Sequence, residues 1–291
     1  MKKCLITGST GLIGKELLPL LIRDRWELYT LSRRHSEKEF YSFKNIKCDL
    51  LDEWALDKFP KKVDIVIHLA QSEHFRDFPN YAEHIFCVNT LSTIRLLQYA
   101  RKAGAKAFIL ASSGGVYSHG DKRFKEDKPI SAKGDLGFYA GTKLCSEVLA
   151  ENYTSYMSII ILRFFFVYGP GQRSSMLIPR LLRSVRSGKP ILLHGQNGIR
   201  INPIYVTDAA KAVFHTLDLK ESQKINIGGI EILTIRQICE QISKILRKEP
   251  FFEIQESVSP PHLVGDTKKM LRFLWRPIVR FEDGIKIILG E

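Results

Sequence analysis

The amino-acid sequence predicts an α/β fold in which a doubly wound parallel sheet is followed by a smaller α/β lobe. Three observations lead to this prediction. Short apolar runs alternate with segments whose apolar residues recur at helical spacing. Several runs are almost continuously apolar, such as DIVIHL at 64–69, which is typical of strands covered on both faces. A glycine-rich turn joins the first run to the first helix, and such β-α-β alternation favours parallel strands with right-handed crossovers.

The elements of the first half follow one another in a regular order. The first strand ends at a glycine, and the helix after it repeats its apolar residues every three or four positions. A long helical pattern ends before Gly104, a residue suited to the left-handed position that closes a helix. The predicted strands are 3–7, 27–31, 46–49, 64–69, 107–111 and 158–167, and the predicted helices are 12–23, 81–102 and 139–156.

The regular alternation loosens after the segment Gly169-Pro170-Gly171. We therefore expect a larger domain over 1–168, to which 205–228 returns, and a smaller lobe made mainly of 169–291. The helices expected in this second half are 177–187, 207–217 and 234–247, and the expected strands are 191–194 and 224–227.

The composition is that of a folded protein. Of 291 residues, 44% are hydrophobic and 26% are charged, which provides for a large core and excludes intrinsic disorder. No apolar run approaches the roughly 18 residues that a membrane helix needs, and no signal-peptide core precedes the glycine turn. We therefore expect a soluble, cytoplasmic protein that makes no membrane contact.

The charge is strongly positive, with 44 Lys and Arg against 31 Asp and Glu, a net charge of +13. Such a balance favours anionic partners, including phosphorylated small molecules. The basic residues are scattered, however, so we predict no nucleic-acid partner. Neither the five widely spaced cysteines nor the eight histidines form a metal-ligand pattern, so we predict reduced thiols and no metal site.

Residues 7–14, with the sequence TGSTGLIG, form the first candidate binding site. They lie between a strand and a helix, the context in which glycines three residues apart bind a dinucleotide. The glycines permit a tight turn and the close approach of a pyrophosphate, to which the helix N-terminus offers unpaired N–H groups. The sequence therefore predicts a Rossmann-type site that uses Gly8, Ser9, Thr10, Gly11, Leu12, Ile13 and Gly14.

The end of the second strand carries Ser32-Arg33-Arg34 rather than an acidic residue. An NAD site usually places a carboxylate there, on the ribose 2′-hydroxyl. Two guanidinium groups suit a 2′-phosphate instead, because they donate paired, charge-assisted hydrogen bonds. We therefore expect Arg33 and Arg34 to favour NADP(H). NAD(H) is the alternative if both arginines are solvated surface residues.

Tyr139 and Lys143 are four residues apart on a predicted helix and therefore lie on one face. A phenol has an ordinary pKa of about 10 and is a poor base at neutral pH. A nearby ammonium and an oxidised nicotinamide ring would both lower the pKa of Tyr139, which could then exchange a proton with a sugar hydroxyl or carbonyl. Ser113 follows a buried strand and could hydrogen-bond the reacting oxygen. Each feature alone also has a structural explanation, such as a local serine turn.

Together these motifs resemble the extended short-chain dehydrogenase/reductase family, the NAD(P)-dependent epimerase/dehydratase group that works mostly on nucleotide sugars. ASSGGVY at 111–117, YAGTK at 139–143 and VYGPGQ at 167–172 carry much of this resemblance. It implies that Ser113, Tyr139 and Lys143 are catalytic, and that the protein is a homodimer pairing helices around 81–103 and 139–156. The cofactor contacts implied are Asp49, Leu50, Leu69, Ala70, Gln71, Asn89, Tyr139 and Lys143, and the substrate contacts are Ser113 and Arg200.

Two departures from the family pattern narrow the expected activity. Gly114 and Gly115 stand where the family's hexose 4,6-dehydratases carry acidic residues for proton transfer, so that reaction is not expected. Phe166 stands where many members have an asparagine that touches the nucleotide sugar.

The arginine pair and the short chain favour NADPH-dependent reduction of a nucleotide-linked 4-keto sugar, with Tyr139 as the proton donor. A nucleotide-sugar 4-epimerase is the first alternative, since it oxidises and re-reduces C4 with one tightly held cofactor. A non-catalytic NADP-binding sensor is the second alternative, and the complete set of Ser113, Tyr139 and Lys143 argues against it.

Overall fold

The computed structural model of the protein describes residues 1–33, 43–131, 136–256, 260 and 262–290. The strands are β1 (Lys3–Thr7), β2 (Glu27–Ser32), β3 (Phe43–Lys47), β4 (Ile65–His68), β5 (Ala107–Ser113), β6 (Ser158–Phe164), β7 (Val167–Tyr168), β8 (Ile191–His194), β9 (Arg200–Ile201), β10 (Ile204–Tyr205), β11 (Gln223–Ile227), β12 (Leu233–Thr234) and β13 (Phe252–Gln255). The α-helices are α1 (Leu12–Arg23), α2 (Ala82–Phe86), α3 (Ser92–Lys102), α4 (Phe138–Glu151), α5 (Leu177–Ser187), α6 (Val206–His215), α7 (Ile235–Leu246), α8 (Lys268–Phe273) and α9 (Phe281–Leu289).

Seven strands form one parallel sheet in the order β11-β6-β5-β4-β1-β2-β3. The chain begins in the middle with β1, runs to one edge through β2 and β3, and then returns to the other side of β1 as β4. The carboxyl ends of β1 and β4 therefore flank the point at which strand order reverses, where α/β sheets bind their ligands. The doubly wound Rossmann-type fold predicted from the sequence is confirmed.

Apolar side chains cover both faces of the sheet. On one face, Ile6 and Leu17 are fully buried in a layer that also includes Val213 of α6. On the other face, Leu97 of α3 packs in a layer with Phe108 of β5. Burying one such Leu or Phe side chain is worth about 1.5–3 kcal/mol, so these two layers hold the strand ends in fixed positions.

The predicted strand 158–167 is divided in the structure. β6 ends at Phe164, and β7 pairs with β10 in a separate two-stranded sheet. Phe166 has a φ of +47°, a left-handed conformation that interrupts the extended run. The predicted strand 46–49 is also displaced, because β3 lies at Phe43–Lys47.

The predicted helix 81–102 contains a turn of π-helix at Cys87–Leu91, between α2 and α3. Turns of this kind are frequent at functional sites. Here the turn buries Asn89 and Thr90, and the Thr90 hydroxyl donates to the Thr142 carbonyl of α4 at 3.1 Å. The π-helical turn therefore joins α2 and α3 to α4, the helix that carries Tyr139 and Lys143.

The residues after β7 build a further hydrophobic cluster, in which α5, α7 and α9 pack with Ile178, Ile238 and Ile285 buried. The strand β11 lies outside this cluster, at the edge of the main sheet beside β6. We propose that the two lobes divide at residue 169, as the sequence predicts. The described residues contain no helix that is both long and apolar enough to cross a membrane. The cytoplasmic location expected from the sequence stays a prediction.

Candidate active site

The turn between β1 and α1 has the geometry that a dinucleotide requires. Gly8 has a φ of +72°, and a Cβ atom there would lie 2.7 Å from the backbone nitrogen of Ala70. Gly11 is the N-cap of α1, no side chain caps the helix, and no acidic residue lies in its first turn. The N-terminal N–H groups are therefore available to an anion, and the chain's own residues fit a bound pyrophosphate.

The residues expected at the adenine and nicotinamide ends lie on either side of this turn. Asp49 follows β3, and its Oδ1 accepts from the Leu51 backbone at 3.1 Å, while Leu50 is buried. Leu69 and Ala70 follow β4, and the Thr7 hydroxyl accepts from the Ala70 backbone at 3.3 Å. β3 and β4 lie on opposite sides of β1, so the two groups occupy opposite ends of one groove.

Tyr139 lies in the first turn of α4, next to the loop that follows β4. Its hydroxyl donates to Gln71 Oε1 at 2.9 Å, and its ring centroid lies 5.0 Å from that of Phe75. Burial raises the pKa of Tyr139 to about 12, while a hydrogen bond with Ser113 and the charge of Arg76 act in the opposite direction. In this arrangement Tyr139 is a protonated phenol at neutral pH.

Lys143 is buried one turn further along α4, and its ammonium donates to the Ala111 carbonyl at 3.0 Å. Burial lowers the pKa of Lys143 to about 8, and the charge of Glu147 opposes this shift. The sequence pointed to Lys143 as the cation that lowers the pKa of Tyr139. Arg76, which the sequence did not single out, also acts to lower the pKa of Tyr139, and the effect of Lys143 stays a prediction.

Ser113 ends β5, and its hydroxyl accepts from the Gly115 backbone at 3.0 Å. The next position cannot hold a larger residue, since a Cβ atom on Gly114 would lie 2.5 Å from the Phe165 ring. An acidic side chain at 114, as in a 4,6-dehydratase, would therefore require this buried ring to move.

Asn89 is buried and hydrogen-bonded within the protein, and its contact with the cofactor stays a prediction. Its side-chain oxygen accepts from the Ser72 backbone at 2.9 Å, and its side-chain nitrogen donates to the Thr142 hydroxyl at 3.0 Å. The amide thus ties the loop after β4 to α4, the two elements on which Gln71 and Tyr139 meet.

A buried ion pair holds α4 against the sheet. Arg163 of β6 donates to Glu147 Oε2 at 2.6 Å, and the two side chains are 2% and 1% exposed. Arg163 also donates to the Tyr117 hydroxyl at 2.6 Å, and Ser112 donates to Glu147. An arginine inside an apolar strand needs such a partner, and Glu147 lies one helical turn beyond Lys143. Arg163 and Glu147 can both be read from the sequence, but their pairing cannot, because the fold brings together two residues that are 16 positions apart in the chain.

Arg33 does not face the groove as a lone cation. Its guanidinium donates to Glu73 Oε1 at 2.6 Å, and Arg173 approaches Glu73 Oε2 at 3.2 Å. The pairing of Arg33 with Glu73 weakens the expectation of NADP(H), which requires Arg33 and Arg34 to bind a 2′-phosphate. Arg34 lies outside the described residues.

The loop after β4 is bonded to the segment before α5. Arg76 donates to the Ser175 carbonyl at 3.0 Å, and Arg173 donates to the Glu73 carbonyl at 2.8 Å. Arg200 lies elsewhere in the lobe, where its guanidinium donates to the Asp121 carbonyl at 3.1 Å. Its contact with a substrate diphosphate stays a prediction.

Glu73, His74 and His84 place potential metal-ligand atoms within 4.8 Å of one another. Each already has a partner, however. Glu73 pairs with the two arginines, His74 Nδ1 lies 2.9 Å from Asp77, and His84 Nδ1 lies 2.8 Å from the Ser72 hydroxyl. We therefore interpret the group as a polar cluster that shapes this loop.

The sheet, the dinucleotide turn and the placement of Ser113, Tyr139 and Lys143 define an NAD(P)-dependent enzyme of the short-chain dehydrogenase/reductase class. The model of the NAD dependent epimerase/dehydratase family matches residues 4–228. The chain belongs to this family, which confirms the resemblance found in the sequence.

Individual relatives span nearly the whole chain. The uncharacterized UDP-glucose epimerase YtcB of Bacillus subtilis is 28% identical, over 97% of this chain and 95% of its own. The dTDP-4-dehydro-6-deoxyglucose reductase of Escherichia coli is 26% identical, over 97% and 94%. The solved structure of UDP-glucuronic acid 4-epimerase from Bacillus cereus, in complex with UDP-glucuronic acid and NAD, is 27% identical with a TM-score of 0.85, over 98% and 96%.

Proposed function

We propose that the protein is an NAD-dependent 4-epimerase of a nucleotide-linked sugar. The observation that carries the proposal is the meeting of Tyr139, Gln71 and Ser113 at the carboxyl end of the sheet, beside the dinucleotide turn. The similarity to a UDP-glucose epimerase and to a UDP-glucuronic acid 4-epimerase favours this reaction over the 4-keto reduction that the sequence put first.

The reaction requires a group that takes a proton from the C4 hydroxyl and later returns it. A nicotinamide cofactor, when bound, would supply the hydride acceptor for C4 and the hydride donor for the opposite face of the ketone. Tyr139 exchanges the hydroxyl proton, and Ser113 holds the same oxygen by a hydrogen bond. The pKa of Tyr139 is about 12 without cofactor, even with the charge of Arg76 acting to lower it. The charge of the oxidised ring must therefore lower it further before Tyr139 acts as a base.

The cofactor is proposed to be NAD(H) rather than the NADP(H) expected from the arginine pair. The engagement of Arg33 by Glu73 supports this choice, and so does the NAD bound in the Bacillus cereus relative. A preference for NAD(H) also favours an epimerase over a reductase, because an epimerase keeps one cofactor bound through both half-reactions.

A 4-keto sugar reductase is the second candidate. The protonated state of Tyr139 favours it, because a reductase needs a proton donor at the carbonyl oxygen and delivers hydride once. The similarity to a 4-keto sugar reductase of Escherichia coli also favours it.

One experiment separates the two candidates. The purified protein is incubated with NAD and UDP-glucose or UDP-glucuronic acid, and separately with NADH or NADPH and a 4-keto-6-deoxy nucleotide sugar. The proposal predicts that the 4-epimer forms without net change in nicotinamide absorbance. Stoichiometric loss of NADH or NADPH with the keto sugar, and no epimer, would favour the reductase.

The variant Tyr139→Phe tests the assigned proton exchange. Its rate of epimer formation is expected to fall by about 10²–10⁴-fold, the usual contribution of a general acid or base. Binding of NADH, followed by nicotinamide fluorescence, should change little. Tyr156→Phe removes an exposed hydroxyl beyond the end of α4 and is the matched control. An unchanged rate in Tyr139→Phe would contradict the assignment and favour a non-catalytic role.

We also propose a homodimer in which α2 and α4 contact the partner. Phe86 of α2 and Val148 of α4 are 45% and 53% exposed, on elements that touch each other. Two large apolar side chains on adjacent helices are typical of a covered surface. Light scattering should therefore give twice the chain mass of 33.3 kDa, and a single chain mass would contradict the proposal.

A further inference from the structure

The ion pair between Arg33 and Glu73 crosses the nucleotide groove. Arg33 follows β2, whereas Glu73 follows β4, and these strands lie on opposite sides of β1. Their 2.6 Å contact therefore spans the carboxyl end of β1, where the dinucleotide turn begins. The pair is partly exposed, at 56% and 34%, so its effect on a ligand in the groove matters more than its effect on folding.

Glu73 is held in position from its other side. Arg173 donates to the Glu73 backbone carbonyl at 2.8 Å and approaches its carboxylate at 3.2 Å. The hydrogen bond with Arg33 and the two arginine charges keep the pKa of the Glu73 carboxyl below its ordinary value. Glu73 is therefore an ionised, preorganised carboxylate at neutral pH.

Arg33 also lines a cavity of about 320 Å³ at the adenosine end of the groove, next to Asp49. The hydrogen bond that Arg33 donates to Glu73 and the charge of Asp49 both act to raise the pKa of Arg33, so this guanidinium faces two carboxylates. The charged side chains that line the cavity are balanced, with three cations against three anions: Arg33, Lys47, Lys58, Asp49, Asp52 and Glu53. Adding Glu73 and its partner Arg173 keeps this balance, so this part of the groove offers no excess of positive charge to a 2′-phosphate.

We propose that Glu73 is a specificity-determining residue, which makes the site select NAD(H) and reject the 2′-phosphate of NADP(H). A 2′-phosphate would have to take Arg33 away from a carboxylate that Arg173 fixes in place. A ribose 2′-hydroxyl needs no cation and can remain next to the pair. The carboxylate that usually follows β2 in an NAD site is thus supplied from the loop after β4. This inference rests on the proposed cofactor but not on the sugar reaction.

The experiment compares the dissociation constants of NADH and NADPH, measured by nicotinamide fluorescence with the purified full chain. Wild type should bind NADH more tightly. Glu73→Gln keeps a hydrogen-bonding side chain but removes the charge, and should improve NADPH binding relative to NADH on the order of tenfold, the change expected for about 1.4 kcal/mol. Asp77→Asn removes a carboxylate from the same loop and should leave the ratio unchanged. Adding Arg33→Gln to Glu73→Gln should abolish the gain.

A Glu73→Gln protein that binds both dinucleotides in the wild-type ratio would overturn the inference, as would a wild type that prefers NADPH. A second measurement uses wild type alone. 5′-AMP should displace NADH better than 2′,5′-ADP does, since the two compounds differ only in the 2′-phosphate, and the reverse order would also overturn the inference. Catalysis does not enter either assay. A protein that selects NADH through Glu73 but epimerises no sugar would contradict the proposed function and support the inference.

Discussion

Two arginine–glutamate pairs with the same contact distance play different roles in this protein. Arg163–Glu147 and Arg33–Glu73 both have a closest N–O distance of 2.6 Å. The first pair is almost fully buried, with Tyr117 and Ser112 satisfying further hydrogen bonds. The second is partly exposed to solvent and lies at the nucleotide groove. The distance alone therefore says little about what an ion pair does.

The difference follows from the cost of removing charge from water. A buried charge that loses its partner is strongly unfavourable, so removing Glu147 from the pair with Arg163 should destabilise the contact between β6 and α4. An exposed pair contributes little to stability because water and salt screen it. The position of Arg33–Glu73 is thus free to serve recognition, and three variants test this contrast.

The largest effect on stability is expected for Glu147→Ala. This change leaves the Arg163 guanidinium buried and unpaired, at a cost of about 3–5 kcal/mol in the free energy of unfolding. Urea denaturation measures it. Glu151→Ala, which removes the partner of Lys224 at the exposed end of α4, is the control and should cost about 1 kcal/mol or less. Equal losses in the two variants would remove the distinction between the pairs.

Lys143 is expected to have an intermediate effect on the free energy of unfolding, because it is buried but donates to a carbonyl rather than to a carboxylate. Its pKa of about 8 in the folded protein is below the ordinary value of 10.5, so the unfolded chain binds more protons between these values. Stability should therefore gain from this group as the pH rises through 8 toward 10, by about 1–3 kcal/mol, and Lys143→Met should lose that gain.

Thermal or urea unfolding of wild type and Lys143→Met at pH 7, 8, 9 and 10 measures the difference directly. The comparison with the variant is needed because burial raises the pKa values of the Cys4, Cys48 and Cys239 thiols above 9, so these groups act in the opposite direction over the same range in both proteins. Parallel pH profiles for the two proteins would show that Lys143 is not the buried cation described here.

The smallest effect on stability is expected for Glu73→Gln. The free energy of unfolding should change by less than about 1 kcal/mol, and the change should shrink as the salt concentration rises. The same variant is expected to alter the ratio of NADPH to NADH binding. A loss as large as that of Glu147→Ala would mean that the exposed pair is structural after all.

The sequence predicts the main sheet better than it predicts the contacts of the site, for physical reasons. Continuous apolar runs and the glycine turn depend on local backbone rules, and they predict β1, β4 and β5 and the groove between them. The end of β6 was missed because it depends on the left-handed Phe166, which no local pattern favours. Two-residue strands such as β9 and β12 are too short to show any periodicity.

The partners of charged residues were the least predictable part of the site. Arg33 and Glu73 are 40 residues apart in the chain and meet only because β2 and β4 flank β1. The segment Ser32-Arg33-Arg34 alone therefore favours NADP(H), because it does not reveal the distant partner Glu73. By contrast, Tyr139 and Lys143 could be placed together, because a helix brings residues four apart onto one face.

The central claim is that Tyr139 acts in reversible oxidation of C4, with one hydride removed and returned within the site. The most direct test uses a UDP-hexose labelled with deuterium at C4, a catalytic amount of NAD, and NMR of the sugar products. We expect a 4-epimer that retains deuterium at C4 in the wild-type reaction and that Tyr139→Phe forms about 10²–10⁴-fold more slowly. Loss of the label to solvent, or absence of the epimer with either UDP-glucose or UDP-glucuronic acid, would contradict it.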